Sequence, residues 1–322
     1  MNKQKKYIGV DIGGTSAKLG IVDEEGNIEK SEKYAVDFDN YETPILKTVI
    51  KSIKHFLQTN SFSAQDFAGI GVSATGGIDS VSGVVAGSAG HIRNWDGSQI
   101  VKEMEQEFQI PVVTLNDANA AALGEMWKGA AKGRKNAVVM TIGTGVGGGI
   151  IVNSQILLGA TGFAGEIGHM IIKNDGERCS CGNTGCLERY GSTTALVKRV
   201  ELAVASGSVK GFQNQKINGE TIFAEACNGN VQVNEILDSW MDDIASGIIS
   251  LVHIFNPEIV LIGGGVSSQK QLFIDKLREK VKMGCMPRFV QNFELEAAEL
   301  GNDAGLMGAV YYCMQQGKDA VE

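Results

Sequence analysis

Thr141-Ile142-Gly143-Thr144-Gly145-Val146-Gly147-Gly148-Gly149 places five glycines and two threonines in nine residues. The apolar stretch 137–142 before it reads as a strand, and 150–153 after it reads as another. A bulged hairpin would accommodate such a segment but does not need so many glycines. Glycine lets a backbone approach a ligand closely, and successive N–H groups in such a loop converge on phosphate oxygens. Two other segments have a similar character. Asp11-Ile12-Gly13-Gly14-Thr15-Ser16-Ala17-Lys18 ends a short apolar strand in a carboxylate, followed by two glycines, a hydroxyl and an ammonium. That carboxylate makes sense beside a magnesium ion, or its water, neutralising a triphosphate. Gly263-Gly264-Gly265 closes the apolar strand 258–262, and the carboxyl end of a buried strand is where α/β sheets hold ligands. Neither the P-loop nor the dinucleotide fingerprint has these spacings.

Working outward, strands are expected at 7–11, 17–22, 28–36, 68–74 and 112–115, with helices at 43–57, 99–108 and 118–128. The series of strand, glycine loop and strand then restarts at 137. Helices follow at 193–205, 220–228, 231–255 and 272–283, an extended segment at 289–298 and a final helix at 304–316. This is one α/β architecture written twice, with a cleft expected between two lobes. The boundary falls near Asp117, and the last helix is expected to return to the first lobe. The lobes are then 1–117 with 304–322, and 118–303.

The bulk numbers agree with an enzyme of this kind. The chain has 322 residues, beyond the size at which a single core usually stops growing. Its 42 glycines are roughly double the ordinary share of about 7%. The formal net charge of −8 argues against a nucleic-acid partner, which would want a basic face. No signal peptide and no apolar run of membrane-spanning length is visible, so a cytoplasmic, reducing setting is expected. There, three of the six cysteines crowding into 179–186 suggest a metal before a disulfide.

Asn116-Asp117-Ala118-Asn119 sits at a strand-to-helix junction. Asp117 reads either as a helix N-cap or as a general base facing a cleft, and the two roles are compatible. Asn116 offers a donor and an acceptor to neighbouring hydroxyls. Glu166 and Glu188 are carboxylates suited to vicinal hydroxyls, or to surface ion pairs. His169, Cys179, Cys181 and Cys186 supply one nitrogen and three sulfurs, which suits a closed, structural, tetrahedral zinc site. A redox role for Cys179 and Cys181 lacks the expected strand-and-helix context. Zinc here would fix the loop bearing Glu166 and the segment bearing Glu188.

Three glycine loops in a duplicated α/β chain resemble the sugar kinase, actin and heat-shock ATPase superfamily, whose two ribonuclease H-like lobes bind ATP between them. Gly165-Glu166-Ile167-Gly168-His169, followed by Cys179-Ser180-Cys181-Gly182-Asn183-Thr184-Gly185-Cys186-Leu187-Glu188, resembles the signature of the ROK family of repressors and kinases. The resemblance implies an ATP-dependent kinase phosphorylating a sugar hydroxyl, most simply O6 of a hexose, with Asp117 as base. It implies ATP and Mg2+ at Asp11, Gly13, Gly14, Thr15, Lys18, Gly143, Thr144 and Gly145, with Gly263, Gly264 and Gly265 near adenosine. Sugar contacts fall on Gly76, His91, Asn116, Asp117, Glu166, His169 and Glu188. Zinc falls on His169, Cys179, Cys181 and Cys186, and His169 can serve metal and sugar through opposite ring nitrogens. The resemblance also implies a homodimer. Thr75-Gly76 stands where bacterial glucokinases of the family usually carry Pro-Gly, and His91-Ile92-Arg93-Asn94-Trp95 replaces their Asn-Leu-Pro-Gly-Trp. Glucose, N-acetylmannosamine, fructose, another hexose and a β-glucoside therefore all stand as candidate acceptors. The family's repressors carry a helix-turn-helix ahead of the shared core. Only six residues precede Tyr7 here, so a DNA-binding regulator is not expected, and a non-catalytic sensor would be expected to lack Asp117 or the glycine loops.

Overall fold

Two five-stranded sheets with matching strand orders carry the chain. The structure, a computed structural model, describes residues 4–87, 92–213 and 215–319, with backbone only for 318 and 319. The first sheet is built from β1 (Lys6–Ile12), β2 (Ser16–Asp23), β3 (Ile28–Ala35), β4 (Ile70–Ala74) and β7 (Val112–Asn116), in the order β3-β2-β1-β4-β7. Helix α1 (Ile45–Thr59) connects β3 to β4. A small hairpin, β5 (Gly77–Asp79) and β6 (Val84–Gly87), and helix α2 (Ile100–Phe108) connect β4 to β7. Helix α3 (Asp117–Lys128) then leads to the second sheet, made of β8 (Ala137–Ile142), β9 (Val146–Val152), β10 (Gln155–Ile156), β11 (Ile259–Gly263) and β12 (Glu294–Ala297), in the order β10-β9-β8-β11-β12. Between β10 and β11 lie α4 (Glu188–Gly191), α5 (Thr193–Ala205), α6 (Gly219–Cys227) and α7 (Val231–Phe255). A π-helical turn, Lys270–Asp275, and α8 (Lys276–Gly284) lead to β12, and α9 (Ala304–Asp319) ends the chain.

In each sheet the first three strands pair antiparallel, while β1, β4 and β7, and likewise β8, β11 and β12, run parallel. The duplication read from the sequence is therefore present strand for strand. The inner parallel strands β4, β8 and β11 are nearly continuous buried runs because both faces are covered, whereas the edge strand β12 exposes Glu294 and Glu296. Ile8, Val10 and Ile12 of β1, Ile70 and Val72 of β4, and Val260 to Ile262 of β11 are fully buried. One core gathers around Phe56 and Trp95, and the other around Trp240 and Phe273, whose rings stack with centroids 5.0 Å apart. Among the described residues, no helix is long and apolar enough to cross a membrane.

Some elements depart from expectation. The β5–β6 hairpin was not anticipated, because strands of three and four residues carry almost no periodicity. The helix expected at 272–283 begins with the π-helical turn, and only Glu294–Ala297 of the expected extended segment pairs as a strand.

The last helix lies against the parallel strands of the first sheet and crosses α3 backbone to backbone. A methyl group at Gly308 would stand 1.6 Å from the Ala120 carbonyl oxygen, and one at Gly124 would stand 2.3 Å from that of Ala304. The side of α3 beyond the crossing is tied down by Glu125, whose fully buried carboxylate accepts from the backbone N–H groups of Ala130, Glu299 and Leu300 at 2.8–3.0 Å. A larger residue at the crossing has nowhere to go, so Gly308→Ala is expected to lower stability by roughly 1–3 kcal/mol. Gly317, in the same helix but with open space around its Cα, is the control. Gly317→Ala is expected to be neutral or to stabilise by up to about 1 kcal/mol. Urea denaturation of the two variants checks the contrast.

Candidate active site

The carboxyl ends of β1, β4, β7, β8 and β11 open on one cavity of about 800 Å³. Its walls include Asp11 near the end of β1 and Gly13 just after it, Thr75 and Gly76 after β4, and Asn116 and Asp117 at the β7–α3 junction. The second half contributes Gly143, Thr144 and Gly145 between β8 and β9, Glu166, His169, Glu188 and Gly264, and Gly301–Asn302 precede the start of α9. This size is ordinary for a small-molecule site. Twelve of the residues expected at the site thus meet there: Asp11, Gly13, Gly76, Asn116, Asp117, Gly143, Thr144, Gly145, Glu166, His169, Glu188 and Gly264.

Other expected residues do not line the cavity. Gly14 and Thr15 are engaged by the segment between β3 and α1, the Gly14 carbonyl accepting from the Tyr41 hydroxyl and that of Thr15 from the Val36 N–H. Lys18 is ion-paired with Asp303, and its ammonium also donates to the Asn302 carbonyl at 3.3 Å. Gly263 and Gly265 flank the lining. Gly264 alone reaches it, at a φ of 90°, where a side chain would be strained and its Cβ would meet the Ile142 carbonyl oxygen at 2.1 Å. His91 lies outside the described residues. Among the described residues, no lysine or arginine lines the cavity. A polyphosphate there would be met by backbone N–H groups and a metal ion instead of side-chain cations.

The junction at Asp117 differs from expectation in its capping. Asn116 is the N-cap of α3, its Oδ1 accepting from Ala118 at 2.9 Å and from Asn119 at 3.3 Å. Its Nδ2 donates to the Gly76 carbonyl at 2.9 Å. Most of the bonding capacity assigned to a ligand is thus spent on holding the junction. Asp117, one residue on, accepts from the Ala118 N–H at 2.8 Å and leaves its carboxylate open to the cleft. Burial among the cleft walls pushes its pKa up to about 6, helped by the negative charges of Asp11 and Glu166. The Ala118 N–H and the Thr75 hydroxyl oppose the rise. Water in the open cleft reaches the carboxylate and moderates the shift. Thr75 follows Ala74, the register partner of Asn116, so it stands beside Asp117. Its backbone is pinned by a donation to the Ile12 carbonyl and by the Trp95 indole, both at 2.9 Å. Asp11 is also raised by burial, against a 2.6 Å hydrogen bond from the Ser73 hydroxyl and the charge of Lys18. Sequence reasoning missed Ser73, Thr75 and the Gly301–Asn302 turn. Only Thr75 had left a signal, as the residue replacing proline.

His169, Cys179, Cys181 and Cys186 bring their ligand atoms within 4.8 Å of one another. The Cys181 and Cys186 sulfurs are 3.6 Å apart, and the Cys179 sulfur is 3.6 Å from His169 Nδ1. Tetrahedral zinc with sulfur at about 2.3 Å and nitrogen at about 2.0 Å gives edges of roughly 3.5–3.8 Å. The four residues therefore fit zinc, and as four protein ligands they fit a structural ion. His169 turns its other nitrogen to the cleft, with Nε2 3.8 Å from a Glu166 oxygen.

A family model described as the ROK family matches residues 7–316. The glucokinase of Thermotoga maritima is 34% identical over 314 residues, covering 94% of this chain and 96% of that protein. The crystal structure of a ROK-family glucokinase from Streptomyces griseus, in complex with glucose and AMPPNP, is 32% identical with a TM-score of 0.80, covering 96% of this chain and 99% of that one. The xylose repressor of Bacillus spizizenii is 29% identical over 95% of this chain and 77% of its own length. The chain belongs to the ROK family.

The raised Asp117 has a consequence for stability. Its pKa rises from 3.8 to about 6 on folding, so the native state holds more protons than the unfolded chain between those values. Stability is lost as pH rises through that window. Asp117→Asn removes this loss. The variant's Tm is expected to match the parent's near pH 4 and to exceed it at pH 7, as measured by thermal denaturation at both values.

Proposed function

We propose that this ROK-family sugar kinase transfers the γ-phosphoryl group of ATP to the primary hydroxyl, O6, of a hexose, with Asp117 as general base. The observation that supports it most is a carboxylate, its pKa raised to about 6, facing a cavity walled by two glycine loops. A base poised near the working pH combines the correct protonation state with enough basicity. Asp117 accepts the proton of the sugar hydroxyl as that oxygen attacks the γ-phosphorus, and the bond to the β–γ bridging oxygen breaks to release ADP. Little else is asked of the protein beyond positioning and charge neutralisation. The Gly13 and Gly143–Gly145 backbone takes the phosphates, and Gly264 lies towards the nucleoside. Glu166, Glu188 and His169 accept from or donate to the remaining sugar hydroxyls, with Gly76 forming the wall behind them.

Asp11, held by Ser73, would carry Mg2+ or its water, which supplies charge neutralisation on the phosphates. His169, Cys179, Cys181 and Cys186 would carry Zn2+, which supplies folding energy to the segment between Glu166 and Glu188. Glucose is placed first among acceptors because relatives of 34% identity are glucokinases. N-acetylmannosamine, fructose and a β-glucoside follow.

ADP release with ATP and Mg2+ across these sugars tests the reading. Turnover on one of them is expected, and Asp117→Asn is expected to keep sugar affinity while losing at least 10²-fold in kcat. Unchanged kcat in the variant would remove Asp117 from its role. Sugar binding with no ADP release on any acceptor would make the chain a sensor. The freshly purified protein is expected to hold about one zinc per chain, and Cys186→Ser to lose it with a fall in Tm. Metal analysis finding none in the parent would refute the ligand set.

A further inference from the structure

A second pocket, of about 270 Å³, lies outside the cleft between the 173–177 segment, α4, α5 and α7. Its charge is the reverse of the cleft's. Lys173, Arg189, Lys198 and Arg199 line it against two carboxylates, Glu177 and Asp243. Each carboxylate serves two cations. Glu177 Oε2 accepts from Arg189 Nη2 at 3.1 Å and from Lys198 Nζ at 2.8 Å. Asp243 meets Lys173 with one oxygen at 2.9 Å and Arg199 with the other at 2.5 Å. Two positive charges are thus in excess within one concavity, in a chain whose formal net charge is −8.

Fixed elements hold these cations in place. Arg189 is the second residue of α4, and Lys198 and Arg199 are neighbours on α5. Arg199 also donates to the Tyr190 carbonyl at 3.1 Å. The Lys173 ammonium lies over the Tyr190 ring, 4.3 Å from its centroid, and the Tyr190 hydroxyl accepts from the Glu177 N–H. Arg189 Nε is buried without a hydrogen-bond partner among the described residues, so the bonding of that guanidinium is incomplete. Exposed ion pairs add little to stability, and the Lys173 and Lys198 side chains remain 46% and 51% exposed. Ion pairing alone therefore gives little reason to gather four cations round two carboxylates. A concave cluster with a positive surplus focuses its field on an anion, and guanidinium and ammonium groups bind phosphate oxygens well. Leu202, one turn beyond Lys198 on α5 and largely exposed, adds an apolar edge to the same pocket.

We propose that this pocket is a second ligand site, separate from the cleft, that binds the phosphate group of a small molecule. A phosphate monoester near neutral pH carries close to two negative charges and three acceptor oxygens, which matches the surplus. Lys173 and Lys198 each have ammonium donors beyond those engaged with Asp243 and Glu177, and both reach solvent. They take the phosphate oxygens, while Arg199 and Asp243 keep the frame. Leu202 meets the organic part of an ester. Free phosphate and a phosphate ester share this chemistry, and separate titrations distinguish them. None of the six charged residues lines the larger cavity, so the site does not depend on the kinase reading.

Thermal denaturation at pH 8 tests this, with AMPPNP, Mg2+ and glucose present throughout to occupy the cleft. Inorganic phosphate and glucose 6-phosphate are titrated separately, against sodium chloride at matched ionic strength. At least one of them is expected to raise the wild-type Tm by about 1–3 °C, saturating by roughly 10 mM. Lys173→Gln and Lys198→Gln, each at a half-exposed side chain, are expected to weaken the midpoint of that titration at least about fivefold. The double variant is expected to abolish the effect, while calorimetric affinity for AMPPNP stays within about twofold of wild type. A rise with inorganic phosphate shows the phosphate group to be sufficient. A rise with the ester alone assigns the remainder to Leu202, and Leu202→Ser should then weaken it. No saturable rise in the wild type beyond that seen in chloride would overturn the proposal. So would a rise that both single variants leave unchanged.

Discussion

The backbone contact between α3 and α9 is the constraint on which the cleft depends. The two helices cross where Gly308 meets Ala120 and Gly124 meets Ala304. Each begins at the cavity. The first turn of α3 starts at Asp117, and the first turn of α9 sets Gly305 against Asp11, where a Cβ would stand 2.8 Å from the carboxylate. A crossing without side chains between the helices fixes their separation to within a methyl group. It thereby fixes the two carboxylates relative to each other and both sheets relative to the cavity. Glu125 holds the next turn of α3 to the segment entering α9, so the crossing is reinforced by charge-assisted hydrogen bonds in a dry environment.

The electrostatics of the cavity follow from what surrounds it. Asp11, Asp117, Glu166 and Glu188 share its walls, and among the described residues no lysine or arginine joins them. Burial raises the pKa of both Asp11 and Asp117, and for Asp117 the negative charges of Asp11 and Glu166 add to the rise. Folding is opposed by that arrangement at neutral pH. The same arrangement leaves one carboxylate of raised pKa facing the cleft, and leaves the cleft favourable to a cationic partner. Strain of this kind is expected where activity and stability compete.

Much of this was legible because glycine and cysteine leave strong marks in a sequence. Five glycines in nine residues after an apolar run locate a close backbone approach, and the repeat of strand, glycine loop and strand marks a duplicated architecture, whose strand order only the structure gives. The cysteine spacing, with His169, marks four candidate ligands whose atoms the fold brings within 4.8 Å of one another. Less legible were choices settled by distant partners. Lys18 reads as a phosphate ligand beside its glycines, but Asp303, 285 positions away, claims its charge. Asn116 and Asp117 are equally good caps by residue type, and the position of the Gly76 carbonyl decides between them. Thr75 stood out only as a missing proline, because its place beside Asp117 comes from strand register, which local sequence does not encode.

The central claim is that Asp117, poised near pH 6 by its surroundings, is the group that activates the sugar hydroxyl. The most direct measurement is the pH dependence of kcat/KM for the accepted sugar at saturating ATP and Mg2+, which reports the ionisation of the enzyme before sugar binds. The account predicts a plateau above pH 7 and a single acid limb with a pKa near 6, below which the rate falls about tenfold per pH unit. A rate that stays level down to pH 5, where a carboxylate with the usual pKa of about 3.9 is still ionised, would contradict it.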